Sequence, residues 1–269
     1  MRRYLRAGHL EPSLTVTAVA CVLALGAGRS GAGVMWVGAA VLAGQLSVAW
    51  ANDWIDRDRD RAAGRTDKPV ASGELSAVAV RNAAFAALAG CAMLSLASGV
   101  RATAVHLLAV GAGWAYNLRL KFTAASVVPY TLAFSLLPVF VWLGLPGAPL
   151  PPWWSVPAAG LLGAGGHFTQ ALPDLAADAR TGVRGLPQRL GFRSALLAAA
   201  GLLGAGTAVV AVGVAPLDPL TAGAVGVSLL LVVGLVAAGS RGRTRLAFRL
   251  TIAAAGAALF AFVGGARGA

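Results

Sequence analysis

Two aspartate-rich segments hold most of the chemistry available to this chain. The first is Asn52-Asp53-Trp54-Ile55-Asp56-Arg57-Asp58-Arg59-Asp60, and the second is Asp174-Leu175-Ala176-Ala177-Asp178. Both close long apolar stretches in a chain that otherwise avoids carboxylates. Of ten acidic residues, eight lie in or just after these segments: Asp53, Asp56, Asp58, Asp60, Asp67, Glu74, Asp174 and Asp178. Acidic groups beside a membrane core are costly and are usually retained for handling ions or substrates. In a helix running through the first segment, Asn52, Asp56 and Asp60 recur every four residues, and Asp53 shares their face. Asp174 and Asp178 are also one turn apart. Two such faces opposed would supply the hard oxygen ligands that suit Mg2+, which takes one or two carboxylates plus phosphate oxygens and water. Asp58 points away, and with Arg57, Arg59 and Arg61 it reads as a solvated face laced with internal ion pairs.

A third segment, Tyr116-Asn117-Leu118-Arg119-Leu120-Lys121, ends another apolar stretch. By itself it reads as an interfacial tyrosine with basic anchors. Beside two acidic clusters at the same depth, its cations and phenol suit a diphosphate.

These segments need a scaffold, and the composition identifies it. The chain of 269 residues is 58% hydrophobic, against about 45–50% apolar in soluble domains. Its mean hydropathy is +0.74. Nine apolar spans are expected, at about 13–29, 31–52, 76–97, 101–118, 124–144, 153–172, 194–214, 218–239 and 246–265, in one domain over 1–269. The fold class is all-α and polytopic. Of the 22 lysines and arginines, all but Arg29, Arg101 and Arg267 fall at one set of span ends, from Arg2, Arg3 and Arg6 onward. That asymmetry predicts a cytoplasmic N-terminus, an outer C-terminus and both acidic clusters on the cytoplasmic side. It also accounts for the net charge of +12 as topology and attraction to anionic lipid rather than nucleic-acid binding. The first span resembles a signal peptide, but the charge pattern of the later spans requires it as a retained helix. Cys21 and Cys91 fall inside spans and read as small buried hydrophobes. The longest inner loops, about 53–75 and 173–193, follow the acidic clusters and are placed to cap the site.

The motifs resemble those of the UbiA superfamily of intramembrane prenyltransferases. Asn52, Asp53, Asp56 and Asp60 match its N-D-x-x-D-x-x-x-D pattern, and Asp174 and Asp178 match its later D-x-x-x-D. Tyr116 and Lys121 match an intervening Y-S-x-x-L-K, with Asn117 in place of serine. Lys68-Pro69-Val70-Ala71-Ser72-Gly73 is similar to R-P-x-x-S-G, with lysine for arginine. Gly182-Val183-Arg184-Gly185-Leu186-Pro187 is similar to G-x-x-T-L-P, with glycine for threonine. Lys68 can neutralise phosphate but lacks the arginine fork.

The resemblance implies nine transmembrane helices around a central cavity with a cytoplasmic cap, in a cell membrane. It implies Mg2+ as cofactor, held by Asn52, Asp56, Asp174 and Asp178, with Asp53, Asp60 and Lys121 in catalytic support. It implies an isoprenyl diphosphate held by Tyr116, Asn117, Lys121 and Lys68, with Arg119 and Arg184 as weaker contributors. The partner would be a small acceptor, its identity open. The tail would run into an apolar tunnel connected to lipid, and the many Ala and Gly residues suggest room for a long one. Trp50, Trp54, Trp114, Phe134 and Phe168 are candidates to shield an allylic cation. His167 and Gln170, two turns and one turn before Asp174, either meet the acceptor or bond another helix. A terpene cyclase on the same fold is the first alternative. An ion-coupled transporter is remote, because the carboxylates gather at one membrane face rather than the midplane. The D-G-x-x-A-R hallmark of CDP-alcohol phosphotransferases is absent.

Overall fold

The computed structural model describes residues 4, 7, 10–66 and 68–266. Asp67, Arg2, Arg3, Arg6 and Arg267, named above, lie outside the described residues. Among those described there are twelve α-helices, three short 3-10 turns and no strand. The helices are α1 (Leu10–Gly26), α2 (Gly31–Ile55), α3 (Arg57–Ala62), α4 (Ala77–Ser95), α5 (Val100–Leu118), α6 (Val128–Leu143), α7 (Ser155–Ala171), α8 (Leu175–Arg180), α9 (Leu186–Leu190), α10 (Phe192–Gly213), α11 (Pro219–Ser240) and α12 (Thr244–Ala266). Nine of them run 16 to 25 residues, and their positions follow the nine apolar stretches of the sequence. Six are long and apolar enough to cross a membrane: α2, α4 extended through Ser98, α6 with the turn before it, α10, α11 and α12. The other three are shorter or more polar. α1 and α7 have 17 residues, and α5 carries Arg101, His106 and Asn117.

Local sequence sets the helix starts. The Ser30 hydroxyl accepts from Gly33 N at the head of α2, at 3.2 Å. Asp218 accepts from Leu220 N and Thr221 N at 2.9 and 3.1 Å, just before Pro219 opens α11. Side-chain caps of this kind satisfy amides that the first turn leaves unpaired. Gly191, at φ +77°, makes the left-handed link that lets α9 pass directly into α10.

The long helices pack as a closed ring. α1 lies against α2, α2 against α4 and α5, and then α5, α6, α7, α10, α11 and α12 follow in order, with α12 returning to α1. Small residues permit the close approaches, as is usual between membrane helices. At the α7–α10 interface a Cβ on Gly206 would meet Leu162 Cγ at 2.9 Å and the Ala158 carbonyl at 3.2 Å. Polar side chains between helices are bonded. The Thr207 and Ser228 hydroxyls are 2.9 Å apart, and Ser228 donates to the Ala254 carbonyl at 3.0 Å. Large apolar side chains such as Leu230, Val233 and Met93 stay exposed around the ring, which is what a lipid-facing surface requires. The three short helices and the turn Leu120–Phe122 all follow or precede long helices at one end of the bundle, here termed the site end.

Candidate active site

The first acidic segment keeps its helical register although α2 ends at Ile55. The Asp56 amide still donates to the Asn52 carbonyl at 2.9 Å, and the Asp60 amide to the Asp56 carbonyl at 2.8 Å. The four-residue recurrence therefore survives the join with α3, and Asp53, Asp56 and Asp60 all turn inward, each under 7% exposed.

Asp56 is the centre of the cluster. Lys121 Nζ donates to both of its carboxylate oxygens, at 2.5 and 2.6 Å. Arg59 Nη2 reaches Asp56 Oδ2 at 2.8 Å and lies 3.7 Å from Asp60. Asn52 Nδ2 donates to Asp56 Oδ2 at 2.9 Å and to Asn117 Oδ1 at 3.2 Å, and Asn117 Nδ2 in turn donates to the Val48 carbonyl at 2.8 Å. Lys68 Nζ donates to Asp53 Oδ1 at 2.6 Å and to Asn52 Oδ1 at 3.5 Å. Three separate stretches of sequence, 52–60, 68 and 117–121, thus form one connected network. Its carboxylates are matched by its own cations, as buried charges must be.

The second cluster is more open. Asp174 is exposed and Asp178 half-buried. Gln188 Nε2, on α9, donates to Asp178 Oδ2 at 2.8 Å. Arg59 and Arg65 act electrostatically on Asp178, so the two acidic segments share one field. Burial pushes the Asp178 carboxyl above the ordinary carboxylate range, with Gln188 opposing and Asp174 adding. Burial likewise raises Asp60, with Lys68 pulling it down. Lys121 is lowered by burial, against the pull of Asp56.

Among the described residues no three His, Cys, Asp or Glu side chains stand close enough together to hold a metal ion between them. The donor set nonetheless suits Mg2+. Every donor is oxygen, the clusters come from two segments, and Mg2+ needs only one or two carboxylates when phosphate and water complete its shell. Asp53 and Asp56 are already paired with cations, Lys68 on the first and Lys121 and Arg59 on the second.

Below this layer lies an aromatic one. The Tyr116 and Tyr130 rings are 5.2 Å apart at 84°, and His167 lies 4.6 Å from Tyr130. His167 Nε2 is 3.1 Å from the Ser126 hydroxyl, which also accepts from Leu186 N at 2.8 Å. Tyr130 donates to Gln170 Oε1 at 3.2 Å. His167 and Gln170 thus bond neighbouring elements and still border the layer beneath the acids.

The remaining expected residues divide. Arg119 and Arg184 are exposed. Asp58 pairs with Arg57 and Arg61 at the surface, as the sequence suggested. Arg59 departs from that pattern, because it lies three residues after Asp56 on the same helical face and pairs with that carboxylate. Trp114 and Trp54 pack with Phe85 on the α4 side, and Trp114 donates to Ser47 at 3.0 Å. Trp50 donates to the Tyr4 carbonyl at 3.1 Å. Phe168 joins the core with Leu172 and Leu196, whereas Phe134 lines an apolar pocket between α1, α6, α7 and α12. Gln188, Ser126 and Tyr130 were not singled out from sequence. The only available signal was their position, beside Leu186-Pro187 and in the first turns of the fifth span.

A model of the UbiA prenyltransferase family matches residues 13–264. No curated protein matches the chain at a significant level. Among solved structures the fold is similar to that of a UbiA homolog from Aeropyrum pernix K1, with 22% identity, 95% of this chain and 96% of the other covered, and a TM-score of 0.75. It is also similar to digeranylgeranylglyceryl phosphate synthase (16%, 100% and 99%, TM-score 0.71). A third similar structure is a UbiA homolog from Archaeoglobus fulgidus bound to GPP and Mg2+ (20%, 97% and 98%, TM-score 0.68).

Proposed function

We infer, from the premise that this chain belongs to the UbiA prenyltransferase family of membrane enzymes, that it transfers an isoprenyl group from a prenyl diphosphate to a small acceptor inside the bilayer, with Mg2+ as cofactor. The observation that carries this reading is Asp56, buried and joined at once to Lys121, Arg59 and Asn52. Acid and cation there come together from motifs far apart in the chain.

The frame we propose is a single domain over 1–269 with nine spans, an N-terminus on the cytoplasmic side and the site end facing the cytoplasm of a cell membrane. The segments around α3, α8 and α9 form its cap. Asn52, Asp56, Asp174 and Asp178 would hold Mg2+, which when bound neutralises charge on the diphosphate. Lys121, Lys68 and Arg59 exchange their carboxylate partners for phosphate oxygens. Tyr116 and Asn117 donate to the same group. Asp53 and Asp60 orient the two cations nearest them, Lys68 and Arg59. Arg119 and Arg184, exposed at the rim, attract the anionic donor without gripping it. Breaking the C1–O bond leaves its electron pair on the departing diphosphate and positive charge on the allyl group. Cations fixed in a poorly hydrated site stabilise that charge separation more than water would. The Tyr116 and Tyr130 rings, one layer deeper, face the allyl group, and the acceptor attacks C1 from the His167 side.

Asp56→Ala and Asp174→Ala test the site. Each should abolish Mg2+-dependent diphosphate release from allylic donors while leaving the protein inserted and folded. Full activity in either would remove that residue from the metal set. Product analysis separates transfer from cyclisation: an adduct formed only with acceptor supports transfer, and a cyclic hydrocarbon or alcohol formed without one replaces it with cyclisation.

A further inference from the structure

The short helix α9 starts without a cap of its own. Its N-cap residue is Gly185, which has no side chain to accept from the first amides. Ser, Thr, Asp or Asn is the usual choice at that position. The backbone does not ask for glycine, since φ is −65° and ψ 175°, an extended conformation open to any residue. The neighbours do. A Cβ on Gly185 would stand 2.8 Å from Ser126 Oγ, 2.8 Å from Gln188 Oε1 and 3.1 Å from the Lys121 carbonyl. This is where glycine replaces the threonine of the UbiA pattern, and Ser126 brings a hydroxyl back to it. Fully buried and 60 residues away along the chain, Ser126 accepts from Leu186 N at 2.8 Å. Its hydroxyl also stands 3.1 Å from His167 Nε2. The Gln188 side-chain oxygen fills space that a side chain at 185 would need, while Gln188 Nε2 donates to Asp178 Oδ2 at 2.8 Å.

We propose that Ser126 and Gly185 form a seat that holds Gln188 on Asp178. Ser126 docks the start of α9, and Gly185 leaves room for the Gln188 amide. Neither touches the reacting groups, so both are positioning residues that act through Gln188. This rests on the reading of Asp178 as a metal ligand above and adds the residues that aim it. A carboxylate with one oxygen fixed by a hydrogen bond presents the other in a single orientation. Loss of such an outer partner usually weakens metal binding by about 10- to 100-fold. Leu186 and Val127, each next in sequence to a member of the seat, pack against one core cluster, so the bond from Leu186 N to Ser126 ties α9 to the turn that leads into α6.

The test uses the full chain in detergent with two readouts. Mn2+ stands in for Mg2+, and its affinity in the presence of inorganic diphosphate is read from the electron paramagnetic resonance of the free ion. Docking of α9 is read from the rate of trypsin cleavage after Arg184 and Arg189, both exposed. Gln188→Ala should weaken Mn2+ binding by about tenfold and leave cleavage within about twofold of wild type. Gly185→Ala should do the same, because the neighbour that yields most easily is the flexible end of Gln188, and yielding takes it off Asp178. Ser126→Ala should speed cleavage by about fivefold, the usual effect of one lost cap, and weaken Mn2+ binding as well. Gly185→Ser in the Ser126→Ala background returns a hydroxyl at the N-cap itself and should bring cleavage back toward the wild-type rate. Undiminished Mn2+ affinity in Gln188→Ala and Gly185→Ala would overturn the seat, as would unchanged cleavage in Ser126→Ala. A wild-type protein that binds no Mn2+ would instead overturn the metal reading, and the cleavage rates would still decide how α9 is docked.

Discussion

Replacing Lys121 with methionine isolates the central ion pair. The change keeps most of the aliphatic stem and removes the cation that donates to both oxygens of Asp56. Asp56 is 4% exposed, so water cannot replace the lost partner. Breaking a buried pair on one side costs about 3–5 kcal/mol when the surviving charge is left alone. Here it is not alone. Arg59 stays at 2.8 Å and Asn52 at 2.9 Å, which brings the expected loss to about 2–3 kcal/mol. Unfolding in detergent, followed by circular dichroism, measures it for Lys121→Met, Asp56→Asn and the double variant. The double variant should be more stable than Lys121→Met, because it no longer buries an under-compensated carboxylate, and the coupling energy should exceed about 1 kcal/mol. Added Mg2+ should stabilise Lys121→Met more than wild type, since the ion need not displace an ammonium group from Asp56. Catalysis should fall by about 100-fold or more, the usual loss when one charge-stabilising donor is removed. Stability within about 0.5 kcal/mol of wild type, with no coupling, would show that the pair does not hold the site and would refute the reasoning.

Other consequences follow from the same contacts. Gly206→Val should cost about 1–3 kcal/mol by overpacking the α7–α10 interface, whereas Gly204→Ala, which meets nothing within 4 Å, should be neutral; thermal unfolding of both variants compares them directly. Asp58→Ala and Arg61→Ala remove only exposed partners of 68% and 61% side-chain exposure, so stability should change by less than about 0.5 kcal/mol and turnover little. Burial raises the Asp60 and Asp178 carboxyls. An acid raised on folding carries a stability cost at neutral pH that is relieved as pH falls through its folded value, so these two groups should not drive acid unfolding there. In the proposed metal set Asp178 must be ionised to hold Mg2+, so calorimetric titrations across pH should show affinity falling from a pH above the usual carboxylate range of about 3.9. A midpoint at the free-aspartate value would contradict that burial effect.

Much of the architecture was written in local sequence. The apolar runs match the nine long helices to within a few residues; the expected span at 76–97 is α4, Ala77–Ser95, with a 3-10 turn to Ser98. The i, i+4 spacing of Asn52, Asp56 and Asp60 set their common face, because a helix converts sequence distance into direction with little outside help. The same rule sent Asp58 outward. Tertiary structure alone decided the pairings. Which cation meets which carboxylate depends on how the ends of α2, α5 and α7 are brought together by the ring, and no local periodicity encodes that. It placed Lys121 on Asp56 and Lys68 on Asp53, and carried Gln188 from α9 to Asp178. It also sorted the aromatics, sending Trp54 and Trp114 to Phe85 and Phe134 to an apolar pocket. Composition fixed that this chain would be a bundle of apolar helices. The apolar pocket lined by Phe134 depends on side chains meeting from α6, α7 and α12, which only the packed fold brings into contact.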